Sequence, residues 1–218
     1  MDSIEIETGG HPVGSVIWLH GLGADGHDFE PIVPELRLPP SLALRFIFPN
    51  APVRPVTLNG GMPMRAWYDI DPASPLAGGD DIHDSAQEIA ALIEIEMGRG
   101  ISAERVILAG FSQGGVIALH LALRYPQALG GVMGLSTYLD NPDHLAAELS
   151  LANTSIPIFL AHGTMDPMIP IHRAAASRDQ LLALNYDVEW HEYPMGHQVC
   201  PEEIRHISHW LQARFSAA

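Results

Sequence analysis

The fold is decided by the stretch Val106-Ile-Leu-Ala-Gly-Phe-Ser112-Gln-Gly-Gly115, which joins an apolar run to an apolar helix through a G-x-S-x-G turn. Residues 106–109 have the continuous apolar character of a buried strand, and residues 116–123 are apolar nearly all round, as in a helix packed under a sheet. Glycines two positions before and after the serine allow a strained backbone that lifts the hydroxyl out of the fold. The pattern predicts a nucleophilic Ser112, with an ordinary glycine-rich turn as the alternative.

A serine hydroxyl needs a base, and an acid that orients the base. On a strand-turn-helix scaffold of this type the chain order is serine, acid, histidine, with the last two in loops after later strands. Asp166 follows the strand-like run 158–162, and His197 lies in a loop between the run 188–192 and the last helix. We therefore predict Asp166 as the acid, with Asp140 as its rival. Among twelve histidines, only position relative to strand ends favours His197.

Two backbone N–H groups are expected to bind the developing oxyanion. On this scaffold one belongs to the residue after the nucleophile, Gln113, and the other to a loop after an early strand, where Leu22 is the candidate. That loop, His20-Gly-Leu-Gly-Ala-Asp-Gly26, also satisfies G-x-G-x-x-G, the fingerprint of dinucleotide binding. The fingerprint requires an acidic residue after the second strand, but Pro49-Asn-Ala-Pro52 stands there. Dinucleotide binding is therefore the weaker hypothesis.

Six motifs occur in order along the chain: His20-Gly-Leu-Gly23, Pro49-Asn-Ala-Pro52, Arg65-Ala-Trp-Tyr-Asp69, Gly110-Phe-Ser-Gln-Gly-Gly115, His162-Gly-Thr-Met-Asp-Pro167 and Met195-Gly-His197. Together they resemble the phospholipase/carboxylesterase family of α/β-hydrolases, which contains small bacterial carboxylesterases and acyl-protein thioesterases. The resemblance covers essentially the whole chain. It implies hydrolysis of carboxylic esters or thioesters with Ser112 as nucleophile, His197 as base, Asp166 as acid, and Leu22 and Gln113 as oxyanion donors.

The expected fold class is α/β. Strand-like and helix-like segments alternate along 218 residues of 47% hydrophobic content, a length typical of one domain, residues 1–218. With the resemblance, this predicts an α/β-hydrolase fold whose mostly parallel sheet of about seven strands carries helices on both faces. Only residues 136–157 separate one strand from the next where many lipases insert a cap. No large cap domain is therefore expected.

Charge and composition restrict the partners. A net charge of −15 disfavours nucleic acid and anionic membranes, and no apolar run is long enough for stable membrane insertion. The start, Met1-Asp-Ser-Ile-Glu5, shows no secretory signal, so a cytoplasmic location is expected. One cysteine, Cys200, excludes an intramolecular disulfide, and no spacing predicts a metal site. The chemistry requires no cofactor. Whether the chain forms a homodimer stays open.

The segment from Pro49 to Gly79 is the irregular part of the chain, and a loop of this length is usually functional. Its apolar side chains predict a groove for the acyl group, with these candidates: Met62, Met64, Trp67 and Leu76. The alternative is a covering loop that packs Trp67 on the sheet. The predicted substrate is a small-molecule ester with a short to medium acyl chain, or a thioester or lysophospholipid. Alternative functions are an acyl-protein thioesterase, a peptidase and an inactive binding module on a hydrolase scaffold.

Overall fold

The computed structural model describes residues 1–73 and 78–216. Within these residues the chain forms nine strands: β1 (Ser3–Glu7), β2 (Ser15–Leu19), β3 (Arg45–Pro49), β4 (Val53–Val56), β5 (Met62–Arg65), β6 (Val106–Phe111), β7 (Gly131–Leu135), β8 (Ile158–Gly163) and β9 (Val188–Tyr193). It also forms six α-helices: α1 (Ile32–Glu35), α2 (Gly79–Gly98), α3 (Gln113–Arg124), α4 (Pro142–Glu148), α5 (Ile171–Ala183) and α6 (Pro201–Ser216). Short 3₁₀ turns cover Gly26–Asp28, Thr57–Asn59, Ala103–Arg105 and Leu151–Asn153.

Seven of the strands form the central sheet in the order β1-β3-β2-β6-β7-β8-β9. β1 pairs antiparallel with β3, and every other pair in this sheet is parallel. The sheet has seven strands and is mostly parallel, as predicted, and the predicted fold class is confirmed. Because parallel strands end on the same side, the loops after β2, β6, β8 and β9 meet at one edge of the sheet.

The helices pack on both faces of the sheet, which gives the molecule two apolar cores. Neighbouring residues of β2 alternate between them: Ile17 faces the core formed with α2, α3 and α5, and Trp18 faces the core formed with α1 and α6. The predicted stripe of α2, from Ile82 to Ile93, is buried in the first core, and Ile207 of α6 is buried in the second. Both helices thus bury the apolar stripes that their spacing predicts.

The segment after β3 contains structure that its sequence does not predict. β4 and β5 form a separate antiparallel hairpin, with Val53 opposite Arg65 and Val56 opposite Met62. Its turn ends in Gly60 and Gly61, whose φ angles of 67° and 79° favour glycine. Prolines are tolerated because each strand of an isolated pair has a free edge.

Between β7 and β8 the chain carries only α4 and one 3₁₀ turn, and thus no large cap. Across residues 1–73 and 78–216 no helix is both long and apolar enough to cross a membrane.

Candidate active site

Ser112 lies at a sharp turn between β6 and α3. Its φ of 52° and ψ of −120° are strained for a residue with a side chain. A Cβ atom on Gly110 would lie 2.3 Å from the Gly114 carbonyl carbon, and one on Gly114 would lie 2.5 Å from the His20 carbonyl oxygen. Only glycine fits at these two positions. The Ser112 N–H donates to the Leu135 carbonyl at 2.9 Å, which ties the turn to β7.

Ser112, His197 and Asp166 come together in one hydrogen-bonded series. His197 Nε2 lies 2.9 Å from Ser112 Oγ, and His197 Nδ1 lies 2.7 Å from Asp166 Oδ2. An ionised carboxylate only accepts hydrogen bonds, so Nδ1 carries the ring proton and Nε2 is free to accept the hydroxyl proton of Ser112. The rival acid, Asp140, lies elsewhere, with Oδ2 3.6 Å from Nδ1 of His120. The structure thus places Asp166, and not Asp140, beside His197.

The Asp166 side chain is buried, and neighbouring protein groups donate hydrogen bonds to its carboxylate. Burial by itself would raise the pKa of Asp166, but the Ile169 N–H, the hydrogen bond to His197 and the Met168 N–H together lower it below its usual value. Those two backbone groups donate to Oδ1 at 2.9 and 2.8 Å. Asp166 is therefore ionised at neutral pH, as a group that stabilises an imidazolium must be.

A second histidine, His162, lies behind the carboxylate and was missed by the sequence analysis. It is buried at the end of β8, where Nε2 donates to the Ile169 carbonyl at 2.8 Å and lies 3.4 Å from Asp166 Oδ2. Burial lowers the pKa of His162, which keeps the ring neutral. The available signal was its position four residues before Asp166, but a histidine at the end of an apolar run does not by itself indicate this contact.

The two predicted oxyanion donors lie on neighbouring loops. A Cβ atom on Gly21 would lie 3.5 Å from Ser112 Cβ, so the loop that carries Leu22 runs beside the serine. Leu22, Gln113, Ser112 and His197 line the same cavity. In the described part of the chain, neither the Leu22 N–H nor the Gln113 N–H has a protein acceptor. Both donors are thus available to a bound carbonyl oxygen.

Trp67 forms hydrogen bonds with both of these loops. Its backbone N–H donates to Gln113 Oε1 at 2.8 Å, and its indole N–H donates to the His20 carbonyl at 2.8 Å. Gln113 Nε2 in turn donates to the Tyr68 carbonyl at 2.7 Å. Both ends of the Gln113 side-chain amide are therefore bonded to the Trp67–Tyr68 backbone. This network links the loop that carries Leu22 to the turn that carries Gln113.

A cavity of about 320 Å³ opens beside Ser112. Its walls are mainly apolar and include Leu58, Tyr68, Ile70, Phe111, Met168 and Ile169. The Phe111 ring also packs against the His197 imidazole, with ring centroids 4.8 Å apart. An apolar pocket that ends at a serine and a histidine can bind an acyl chain next to the reacting groups.

The segment predicted to bind the acyl group does reach this cavity, but through Leu58, Tyr68 and Ile70. Met62, Met64 and Trp67 do not line it. Met62 is 62% exposed on the hairpin, the Met64 sulfur accepts from Asn59 Nδ2 at 3.2 Å, and Trp67 is completely buried. Leu76 lies outside the described residues. These residues therefore lie beside the cavity or on the hairpin surface and do not form the cavity wall.

In the His20 loop, the last glycine of the G-x-G-x-x-G pattern is required by close packing. A Cβ atom on Gly26 would lie 2.6 Å from the Phe48 carbonyl oxygen. The helix that follows, α1, has only four residues, which is too short for the crossover helix of a dinucleotide fold. The loop therefore does not have the structural context that this fingerprint requires.

Comparison with known proteins agrees with the geometry. The phospholipase/carboxylesterase family model matches residues 1–215. Acyl-protein thioesterase 1 of Mycosarcoma maydis is 38% identical over 226 residues, which cover 96% of this chain and 94% of the relative. Carboxylesterase SOBER1 of Arabidopsis thaliana is 32% identical over 209 residues, which cover 93% and 91%.

Solved structures show the same likeness. The crystal structure of Zea mays acyl-protein thioesterase 2 has a TM-score of 0.86 at 28% identity, covering 98% of this chain and 99% of that one. The crystal structure of SOBER1 has a TM-score of 0.85 at 29% identity, covering 92% and 98%. The predicted family is confirmed, and the chain belongs to the phospholipase/carboxylesterase family of α/β-hydrolases.

Proposed function

We propose that this protein is a serine carboxylesterase that hydrolyses esters of short to medium acyl chains through an acyl-serine intermediate. The observation that carries the proposal is the hydrogen-bonded series from Ser112 through His197 to Asp166, at the mouth of a mainly apolar cavity. Each member sits in a loop at the same edge of the sheet, so their mutual distances depend on the strands.

In the first half of the reaction, Ser112 Oγ attacks the ester carbonyl carbon while His197 Nε2 accepts the hydroxyl proton. Asp166 holds the imidazole in the required tautomer and stabilises its charged form. The N–H groups of Leu22 and Gln113 bind the oxyanion of the tetrahedral intermediate, where loss of one donor costs about 3–4 kcal/mol in the barrier. The intermediate then collapses, and the imidazolium gives its proton to the leaving alcohol.

In the second half, water attacks the acyl-serine carbonyl and His197 accepts a proton from that water. The same two N–H groups bind the second oxyanion. Collapse of this intermediate breaks the bond to Ser112 Oγ, which regains a proton from His197, and the carboxylic acid leaves. All steps use side chains and backbone groups of this chain.

The test combines fluorophosphonate labelling with hydrolysis of p-nitrophenyl butyrate. We expect Ser112→Ala to abolish both while circular dichroism shows an intact fold. Ser155→Ala, at an exposed position, is the matched control and should behave as wild type. Labelling that survives Ser112→Ala, or a wild-type protein that neither labels nor hydrolyses, contradicts the proposal and favours a binding module.

A second candidate function is removal of fatty acyl groups from protein cysteines. It is favoured by the relatives named acyl-protein thioesterase 1, of which the Mycosarcoma maydis protein is 38% identical. The proposed mechanism accepts a thiolate leaving group without change. Matched oxyesters and thioesters with acyl chains from acetyl to palmitoyl, including an S-palmitoylated peptide, separate the two. A higher kcat/KM for the peptide than for short oxyesters would assign the protein to this class.

A further inference from the structure

Arg173, on the first turn of α5, lines the cavity beside Ser112 and also a second cavity of about 510 Å³ next to it. Its guanidinium carbon lies 3.7 Å from the centroid of the Tyr138 ring. The Tyr138 hydroxyl lies 3.1 Å from that of Tyr68, and both tyrosines line both cavities. The planar guanidinium of Arg173 thus stacks on the Tyr138 ring at the boundary between the two cavities.

The N–H groups of this guanidinium have no acceptor among the described residues. Among the side chains that the structure describes, no carboxylate lies within 4.0 Å of Arg173, and no acceptor bonds to it. Arg178, five residues further along α5, differs in this respect. The guanidinium carbon of Arg178 lies 4.9 Å from the centroid of the Trp190 ring. Unlike Arg173, Arg178 also forms an ion pair with Asp179, at 2.7 Å. A guanidinium that stacks by its face presents a fork of donors that matches a carboxylate.

Three acidic side chains line the second cavity beside Arg173, and two of them accept hydrogen bonds from neighbouring groups. In the second cavity, Asp69 accepts from the N–H and the hydroxyl of Thr57, at 2.7 and 2.6 Å. Asp71 accepts from the Ala73 N–H at 2.9 Å, and Asp140 faces His120. None of these three carboxylates lies within ion-pair distance of the Arg173 guanidinium, which can therefore bind an anionic group of a ligand.

Asp28 is the acidic residue among those that line the catalytic cavity, and it lies on the loop after β2. It does not line the second cavity, whereas Arg173 does. The catalytic cavity therefore has an acidic side near the Leu22 loop and a cationic side near Tyr138. An elongated substrate with an anionic group would place that group toward Tyr138.

We propose that Arg173 is a specificity-determining residue that binds a carboxylate carried by the ester substrate, at an end remote from the reacting carbonyl. The inference rests on the proposed esterase function and names its substrate class as esters that bear a second, ionised carboxyl group. A carboxylate fits better than a phosphate dianion, because Arg173 is the one arginine or lysine among the residues that line these two cavities. One guanidinium neutralises one negative charge with two parallel hydrogen bonds.

The experiment compares pairs of esters that differ only in this charge. On the acyl side, mono(p-nitrophenyl) adipate is paired with its neutral methyl ester. On the alcohol side, m-carboxyphenyl butyrate is paired with m-carbamoylphenyl butyrate. We expect wild type to prefer the charged member of one pair by about tenfold in kcat/KM.

Arg173→Gln should abolish that preference while kcat/KM for the neutral esters stays within about twofold. Arg173→Lys keeps the charge without the fork and should retain part of the preference. Arg178→Gln removes the same charge from the same helix outside the cavity, so it should leave the preference unchanged. Melting temperatures of all variants check the fold.

Equal rates within both pairs for wild type overturn the proposal. An equal loss of preference in Arg178→Gln would also overturn it, because the effect would then come from overall charge. A loss on charged and neutral esters alike in Arg173→Gln and Arg173→Lys would assign Arg173 a structural role through Tyr138. If the proposed esterase function itself is wrong, the result differs: the wild-type protein would not hydrolyse the neutral esters either.

Discussion

The loops that carry Ser112, Asp166 and His197 contrast with the hairpin segment that follows β3. The loops join the ends of central parallel strands, and the buried groups in them are held by backbone hydrogen bonds, such as those to Asp166. The hairpin pairs only with itself in the sheet topology and exposes Val53 and Met62. The comparison teaches that the hydrogen-bonded series of Ser112, His197 and Asp166 is built on the strands, whereas part of the cavity wall comes from a more exposed segment.

Hydrogen bonds around Trp67 couple the two regions. Trp67, just after the hairpin, bonds to Gln113 beside the serine and to the His20 carbonyl. The segment therefore contributes a buried anchor to the first region and the side chains of Leu58 and Ile70 to the cavity wall. Predictions that separate these contributions test the comparison.

The largest effect is expected for Asp166→Asn. An amide at this position does not hold the His197 tautomer or stabilise an imidazolium, so kcat should fall by a factor on the order of 10⁴, as in other enzymes with this arrangement. Steady-state kinetics on p-nitrophenyl butyrate measure the change. Asp140→Asn is the matched control and should retain nearly full activity. If Asp140→Asn is the more damaging of the two, Asp166 is not the acid.

The next effect concerns the free energy of unfolding and its dependence on pH. Glu203, in the first turn of α6, is completely buried, and burial raises its pKa from 4.5 to about 8. The folded protein thus holds a proton that the unfolded chain releases. The contribution of Glu203 to stability is therefore fully present below about pH 4.5 and is lost as the pH rises to about 8, by up to about 5 kcal/mol.

Glu203→Gln removes this titration. Urea unfolding at pH 5 and pH 9 should show that the variant gains most over wild type at pH 9. The exposed neighbour provides the control, because Glu202→Gln should change the unfolding free energy by less than about 0.5 kcal/mol at either pH. A wild-type stability that does not decrease relative to Glu203→Gln between these pH values would contradict the prediction.

A smaller effect tests the hairpin segment. Leu58→Asp places a charge on the cavity wall, so kcat/KM for octanoyl esters should fall about tenfold more than for acetyl esters, since each buried methylene contributes about 0.8 kcal/mol. Met62→Asp introduces the same charge on the same hairpin outside the cavity and should affect both esters alike. If Met62→Asp instead causes the larger selective loss on octanoyl esters, that result would support the acyl groove predicted from the sequence.

The smallest effect is expected for Cys200→Ser and for chelators. The proposed mechanism uses neither a thiol nor a metal ion, and the described residues contain no group of three or more side chains suited to a metal. Activity on p-nitrophenyl butyrate should change by less than about twofold under either treatment. A large loss under one of them would require a different mechanism.

Local patterns predicted the features that depend on neighbouring residues in the chain. The central strands follow from continuous apolar runs and the edge strands β1 and β9 from alternating ones. The turn at Ser112 follows from Gly110 and Gly114, where a side chain would collide with the backbone. The order of serine, acid and histidine along the chain placed Asp166 and His197 after strands whose ends meet. The observed hydrogen bonds between these residues agree with that order.

Features that depend on pairing between distant segments were not predictable in the same way. Met62 and Trp67 do not line the cavity, because the hairpin turns Met62 toward solvent and because Trp67 is buried between two loops. The contact of His162 with Asp166 and the stacking of Arg173 on Tyr138 likewise leave no periodic signal in the sequence.

The amino-acid sequence by itself therefore determined the fold class, the strained serine turn and the candidates for acid and base. Apolar periodicity and steric exclusion at glycine act over a few residues and can be read along the chain. Only the tertiary structure decided which side chains form the cavity wall and which charges are left without partners. Those properties depend on packing and desolvation, which arise when segments far apart in sequence come into contact.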